Sequence, residues 1–207
     1  QPDTTPQQQA ELDTILAECR RMNKIITQLL TLTRGEEGRH PVLPETFDLR
    51  EVAAGVTDTL AEALAQRGMS LSIRMPEGMW LTADQSLITE LLLNLTENAV
   101  KYGKPGGHIE VTASRSGGDV VMRVKDDGIG IPPEALPHIF ERFYRVDDAR
   151  DRSGTGLGLS IVDWIVKAHH GTVNVESMPA QGTTFQVALP AGTAQPAPPS
   201  VAQAPRG

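Results

Sequence analysis

The sequence predicts an α+β domain, with helices laid on one face of a largely antiparallel sheet. Three observations carry that prediction. Leu71–Met75, Ile109–Ala113 and Val120–Val124 alternate apolar and polar residues, as half-buried strands do. Between such segments lie stretches of helical period, above all residues 85–102. The turn Ser116-Gly117-Gly118-Asp119 joins two strands as a hairpin, and hairpins mixed with helices favour an antiparallel sheet.

Taken in order, residues 1–9 (QPDTTPQQQ) are Pro- and Gln-rich and are expected to be disordered. Residues 10–34 read as a helix. Leu12, Cys19 and Ile26 recur at seven, and so do Ile15, Met22 and Leu29, the spacing of a helix that packs along another helix. An amphipathic helix docked on its own domain fits the same pattern. Residues 35–46 read as a linker, since GEEGRHPVLP holds two Gly and two Pro in ten residues.

Residues 47–190 form the domain. Asp48 with Glu51 makes a capping box, and Leu49, Val52, Ala53, Val56 and Leu60 supply a buried stripe. Trp80 lies in a short strand, and Asp84 caps a helix running to about Tyr102. After the hairpin come a long loop, a helix from about Leu159 to His170-Gly171, and strands at about 172–177 and 183–189. The order from residue 47 is α-β-β-α-β-β-loop-α-β-β. Residues 191–207 are a Pro/Ala tail with nothing to bury, expected to be disordered.

Composition narrows the function. Net charge is -7, which disfavours nucleic acid as a partner while leaving room for a locally held phosphate. Cys19 is the single cysteine, so no internal disulfide or cysteine zinc cluster forms, and this fits a reducing cytosol. No apolar run approaches the ~20 residues of a membrane span. The start, Gln1-Pro2-Asp3, has neither an initiator Met nor the basic and apolar regions of a signal peptide, and reads as a fragment of a longer chain or a processed product. Aromatics are only 4%, so the core must be aliphatic and Met-rich.

Three segments carry chemistry. In LITELLLNLTENAVKYG, at about 100° per residue, Asn94, Asn98 and Lys101 fall within about 60° of one another, beside the buried stripe. An amide oxygen suits Mg²⁺ and an ammonium suits phosphate; a solvated flank with capping asparagines is the plain alternative. In Lys125-Asp126-Asp127-Gly128-Ile129-Gly130, a strand ends in a carboxylate able to accept from an amino group such as adenine's, followed by glycines that let a flat ligand approach. By itself that pattern also fits an ordinary turn. In Gly154-Thr155-Gly156-Leu157-Gly158, glycines at alternate positions lead into a helix N-terminus, a phosphate-cradle arrangement that is neither the P-loop nor the dinucleotide fingerprint. A flexible linker fits it too. Between the last two segments lies IFERFYRV, whose aromatics suit anchors for a lid. Arg142, Arg145, Arg150 and Arg152 suit phosphate oxygens or simply solvent.

Together, NLTENAVKYG, DDGIGIP, IFERFYR, GTGLGLSIV and GTTFQVALP resemble the N, G1, F and G2 boxes and final strand of bacterial sensor histidine kinases, members of the GHKL group of ATP-binding proteins. The resemblance spans about Phe47 to Pro190. It implies the GHKL (Bergerat-type) two-layer α/β sandwich, preceded here by one long helix, with ATP held between the N-box helix and a lid. By the same resemblance, Asn98 is the Mg²⁺ ligand, Asn94 sits by the metal and phosphates, and Lys101 contacts phosphate. Tyr102 lies near the adenine, Asp126 accepts its amino hydrogen bond, and Gly128 and Gly130 shape that wall. Arg142 and Arg145 serve the nucleotide, Gly154, Gly156, Leu157 and Gly158 form the lid end at the phosphates, and Thr183 supports the adenine end. Gly103 stands where Thr or Ser is frequent, and Ser153 where a further Gly is frequent.

The resemblance implies a protein-histidine kinase that uses ATP and Mg²⁺. Its partners would be its own His-bearing dimerisation segment and a response regulator. The parent would be a homodimer anchored in the bacterial inner membrane, with this part cytoplasmic. The family's phosphoacceptor His stands in a His-Glu-x-x-x-Pro context, which none of His40, His108, His138, His169 and His170 has. Residues 10–34 therefore match the second dimerisation helix, with the first expected upstream. Two other functions are open: a GHKL-type ATPase, and a non-catalytic nucleotide-sensing module. The ATPase relatives carry a Glu base four residues before the metal Asn, where this chain has Asn94, which cannot take a proton.

Overall fold

The computed structural model describes residues 5–38, 40–146 and 155–192. Its elements are α1 (Pro6–Glu36), β1 (Glu45–Asp48), α2 (Leu49–Gln66), β2 (Ser70–Arg74), β3 (Trp80–Ala83), α3 (Gln85–Tyr102), β4 (His108–Ser116), β5 (Asp119–Asp126), α4 (Gly158–Ala168), β6 (Thr172–Met178) and β7 (Gly182–Pro190). The alternation read along the strands becomes a five-stranded sheet of order β2-β4-β5-β7-β6, with β2 parallel to β4 and every other pair antiparallel. Val124 stands opposite Val111 on one side and Phe185 on the other.

On one face of this sheet, Ile109, Val111, Val120, Met122, Val124, Phe185, Val187 and Leu189 are buried against the helices. α2 covers β2, α3 covers β4 and β5, and α4 covers β6. Leu91, Leu92 and Leu95 of α3 and Ile161 and Ile165 of α4 fill the space between the layers. Each such side chain contributes about 1.5–3 kcal/mol by leaving water. The opposite face is polar; there Arg123 Nε donates to Gln186 Oε1 at 2.8 Å. The expected α+β sandwich is the fold observed.

Several boundaries differ. α1 begins at Pro6, inside the stretch expected to be disordered, because Thr5 and Gln8 form a capping box: Gln8 N donates to Thr5 Oγ1 and Thr5 N to Gln8 Oε1. Gln is a good helix former, which a composition-based reading of QPDTTPQQQ overlooks. α1 also runs into the expected linker, to Glu36, because Gly35 lies against the Trp164 indole, where any Cβ would overlap the ring. The linker further hides a strand. β1 pairs antiparallel with β3 as a separate two-stranded sheet, with Thr46 and Thr82 hydroxyls 2.9 Å apart and Phe47 buried beneath. Asp48 does cap α2, but through the Arg50 amide at 2.9 Å, with no reciprocal bond from Glu51. Ala191 is not tail: its N–H donates to Gly118 O and its carbonyl accepts from Thr82 N. Residues 1–4 and 193–207 lie outside the described residues.

α1 docks on this sandwich through its C-terminal part. Leu32 is 1% exposed, Ile25 and Leu29 pack on the core, and Lys24 Nζ meets Glu97 Oε2 at 2.6 Å. The seam of Leu12, Ile15, Met22 and Ile26 points away and stays exposed, as does Cys19. Among the described residues no helix is long and apolar enough to cross a membrane.

Candidate functional site

Asp84 Oδ1 accepts from Leu87 N at 3.1 Å and starts α3 in a phase that buries Ile88, Leu91, Leu95 and Ala99. The same phase brings Asn94, Asn98 and Lys101 to the edge of the buried stripe. Asn94 is 7% exposed; its Nδ2 donates to Glu90 O at 2.8 Å, which leaves Oδ1 facing the start of α4. There Gly158 comes so close that a Cβ would stand 2.8 Å from Asn94 Oδ1. Asn98 is half-buried, and its amide has no hydrogen-bond partner among the described residues. Lys101 Nζ lies 4.9 Å from the centre of the exposed Tyr102 ring.

The other wall is built where β5 ends. Asp126 is 7% exposed and accepts from Gly128 N at 2.8 Å. Burial raises its carboxyl above the ordinary carboxylate value, against the lowering effect of backbone hydrogen bonds from Gly128 and Thr183. The loop that follows is strapped at both sides. Ile129 N donates to Tyr102 O at 3.1 Å, Ala180 N donates to Ile129 O at 2.7 Å, and Ile131 N donates to Ser177 Oγ at 2.8 Å. Gly128 packs on the Tyr102 carbonyl, and Gly130 adopts φ +69° against the Met178 carbonyl; a Cβ on either would overlap the oxygen. Thr183, buried as well, bonds through its hydroxyl to Ser177 Oγ at 2.9 Å. Ser177 joins the loop to the β6–β7 hairpin, a role no motif signals, since it reads as one polar residue in an alternating strand.

The lid segment packs on the glycine loop, which in turn meets α1. Phe143 is exposed, sits at φ +62°, and donates its N–H to Gly156 O at 2.9 Å. A left-handed aromatic residue is held there by its surroundings: Gly156, itself at φ +71°, would put a Cβ 2.8 Å from the Phe143 backbone. Leu157 is fully buried and anchors the start of α4. Thr155 Oγ1 accepts from Leu157 N at 3.2 Å and donates to Gln28 Oε1 of α1 at 3.0 Å, a link between the long helix and the glycine loop that the sequence did not suggest. Arg142 is exposed; Arg145 is half-buried and makes no hydrogen bond or ion pair among the described residues. Gly154, Ser153, Arg150 and Arg152 lie outside the described residues.

The structure thus brings Asn94 to Gly158, and Tyr102 to Gly128, Ile129 and, through them, Asp126. Between the two clusters runs the ridge of Asn98 and Lys101. One end offers a buried acceptor beside a glycine wall, which suits a flat amino-bearing base. The other offers amides, an ammonium and a helix N-terminus, which suit phosphate. No group of three or more His, Cys, Asp or Glu able to hold a metal exists among the described residues. A divalent ion here would rest on phosphate oxygens, water and an amide, as Mg²⁺ commonly does in phosphoryl-transfer sites.

Residues 83–193 match the family model described as histidine kinase-, DNA gyrase B-, and HSP90-like ATPase. Sensor histidine kinase YkoH of Bacillus subtilis (strain 168) is 42% identical over 175 residues, 83% of this chain and 37% of that protein. The full-length histidine kinase ShkA, solved in complex with AMPPNP, superposes with a TM-score of 0.83 at 26% identity, over 94% of this chain and 41% of that one. The histidine kinase ThkA, solved with the response regulator protein TrrA, shares the fold, with a TM-score of 0.70 at 23% identity over 93% of this chain and 53% of that one. This chain spans little more than a third of the length of YkoH.

Proposed function

This chain belongs to the family of histidine kinase-, DNA gyrase B- and HSP90-like ATPases, and from that premise we propose that it is the ATP-binding catalytic domain of a two-component sensor histidine kinase. ATP lies with its adenine amino group on Asp126 and its phosphates along Asn94, Asn98 and Lys101. Gly156, Leu157 and Gly158 close over the phosphates, and Arg142 and Arg145 approach on the lid. Thr183, through Ser177, holds the adenine wall. Mg²⁺, when bound, neutralises phosphate charge, with Asn98 as its protein ligand. The residues themselves supply position and charge, which is most of what phosphoryl transfer needs.

The observation that carries this reading is the joining of separate sequence boxes into one slot: Tyr102 O is bonded to Ile129 N, and Asn94 Oδ1 faces Gly158. The γ-phosphoryl goes to an imidazole on a dimerisation segment, and from there to a response regulator. Four of the five histidines have side-chain partners within the domain. His40 is edge-on to Trp164, His108 is bonded to Ser70 and Ser72, His138 to Glu141, and His169 to Asp84 N and Ile165 O, while His170 turns the chain after α4 at φ +57°. The exposed apolar seam of α1 supports its pairing with a dimerisation helix in a homodimeric parent, itself anchored in the inner membrane.

Hydrolysis fits less well. Asn94, at the position of the ATPase base, is an amide tied to Glu90 O, and Glu97 is engaged by Lys24. The test is calorimetry of the chain with ATP, with and without Mg²⁺, followed by transfer of labelled γ-phosphate to an added segment bearing a His-Glu-x-x-x-Pro motif. Absence of binding at millimolar ATP sinks the reading. Binding and hydrolysis without transfer favours the ATPase, and binding alone favours the nucleotide-sensing module.

A further inference from the structure

A helix leaves its last carbonyls without intrahelical donors, and a left-handed Gly after the last turn is the common remedy. α3 does not use it. Gly103 is extended, at φ -65° and ψ 160°, and its N–H reaches only Ala99 O, at 2.8 Å. The carbonyls of Lys101, Tyr102 and Gly103 are met by tertiary donors. Arg67, in the turn after α2, donates Nη1 to Lys101 O at 2.8 Å and Nη2 to Gly103 O at 2.7 Å. Between them, Tyr102 O accepts from Ile129 N at 3.1 Å. The Arg67 carbonyl in turn accepts from Gly106 N at 3.0 Å, which ties the arginine's own backbone to the chain beyond α3.

We propose that Arg67 is a positioning residue for the nucleotide. It does not touch the ligand; it clamps the backbone of Lys101–Gly103, and that backbone sets the adenine wall. This rests on the ATP-binding reading above. The planar guanidinium fork spans two carbonyls at once, and its charge sits at the negative end of the α3 dipole. The path to the base is short. Gly128 packs directly on the Tyr102 carbonyl, so a shift of that oxygen either breaks the Ile129 bond or presses on Gly128, whose amide is bonded to Asp126 Oδ1. Met69, two residues after Arg67, fills the space beside Gly103 where a larger side chain at 103 would lie. The turn after α2 thus replaces, from outside the helix, the local capping that α3 lacks.

The experiment uses the full 207-residue chain carrying Arg67→Ala or Arg67→Lys. Calorimetry gives affinities for ATP and GTP with Mg²⁺, and thermal melting without nucleotide gives stability. Loss of two charge-assisted hydrogen bonds in Arg67→Ala should weaken ATP binding roughly tenfold and shrink the preference for ATP over GTP. Arg67→Lys restores the charge but spans only one carbonyl, and should fall between. If Arg67→Ala lowers the melting temperature while affinity and the ATP:GTP ratio stay at wild-type values, the arginine only holds the fold and the proposal is overturned. Should Arg67→Ala fail to fold, Arg67→Lys decides: reduced selectivity supports positioning, and wild-type selectivity overturns it. Failure of the wild-type chain itself to bind ATP removes the reading on which this rests, a result distinct from a defect confined to the variants.

Discussion

At the end of the slot proposed for the adenine, Asp126, Gly128, Ile129, Ile131, Ser177 and Thr183 are tied by hydrogen bonds to one another or to Tyr102 and the β6–β7 hairpin. At the end proposed for the phosphates, Asn94 is fixed by its bond to Glu90 O, while the Asn98 amide has no hydrogen-bond partner among the described residues. The first end is mostly backbone and buried polar atoms; the second is side chains on one helix edge. A wall already bonded needs no ordering when the base arrives, so its contacts go into affinity and selectivity. The unpaired Asn98 amide keeps its capacity for a ligand such as a phosphate-bound ion. The contrast predicts that damage at the phosphate end spares the fold and costs chemistry, while damage at the adenine end costs binding first.

The largest effect is expected for Asn98→Ala. Transfer to a supplied His-bearing segment should fall at least tenfold, about 1.4 kcal/mol of transition-state stabilisation, with circular dichroism and melting unchanged. A collapsed melt would make Asn98 structural and dissolve the contrast. Asp126→Asn comes next. It leaves a worse acceptor for an amino group, and ATP and ADP affinity should fall by about 1–3 kcal/mol in calorimetry, while binding of inorganic triphosphate is unaffected. Equal losses for both ligands would show that the two ends are not separable.

The pH dependence sharpens the same point. Burial places the folded-state pKa of Asp126 above the ordinary carboxylate value. For a carboxyl raised in this way, ionisation works against the empty fold: the cost is absent below the unfolded pKa and develops as pH rises through the folded value. An adenine amino group bound as proposed would donate to the ionised form and draw the pKa back down. ATP affinity should therefore decline as pH is lowered from neutral through that folded value, and the decline should be flattened in Asp126→Asn. An identical pH profile in the two proteins would assign the titration elsewhere.

The smallest effect is expected for Lys24→Ala. Its partner Glu97 and the lysine are both partly exposed, at 36% and 49%, and such pairs are worth about 0–1 kcal/mol. Melting should shift slightly and ATP affinity not at all. A change in affinity would mean that α1 docking reaches the slot, with the Gln28–Thr155 bond as the evident route.

What was legible in the sequence was whatever rests on local chemistry. Asp84 and Asp48 announce helix starts because a short acceptor meets the free amides of a first turn. Asn94, Asn98 and Lys101 could be placed on one ridge because helical phase depends only on spacing. Other features were hidden. β1 is four residues long in a Pro-rich stretch and exists only because β3 pairs with it. Arg67 followed by Gly68 reads as a surface turn, and Ser177 as an exposed strand position. Nothing nearby in sequence says that one caps α3 and the other straps the loop after Asp126.

The sequence by itself determined the α+β layering, the order of the boxes, and which atoms could bind base, phosphate and ion, because periodicity and donor chemistry are properties of single segments. Only the tertiary structure decided that these segments meet. Tyr102 and Ile129, Asn94 and Gly158, Ser177 and Thr183, and Gln28 and Thr155 are joined by close contacts whose partners lie on different elements. Such contacts form when a shared core fixes the elements against one another, and burial then makes each unpaired polar group costly enough to select its partner.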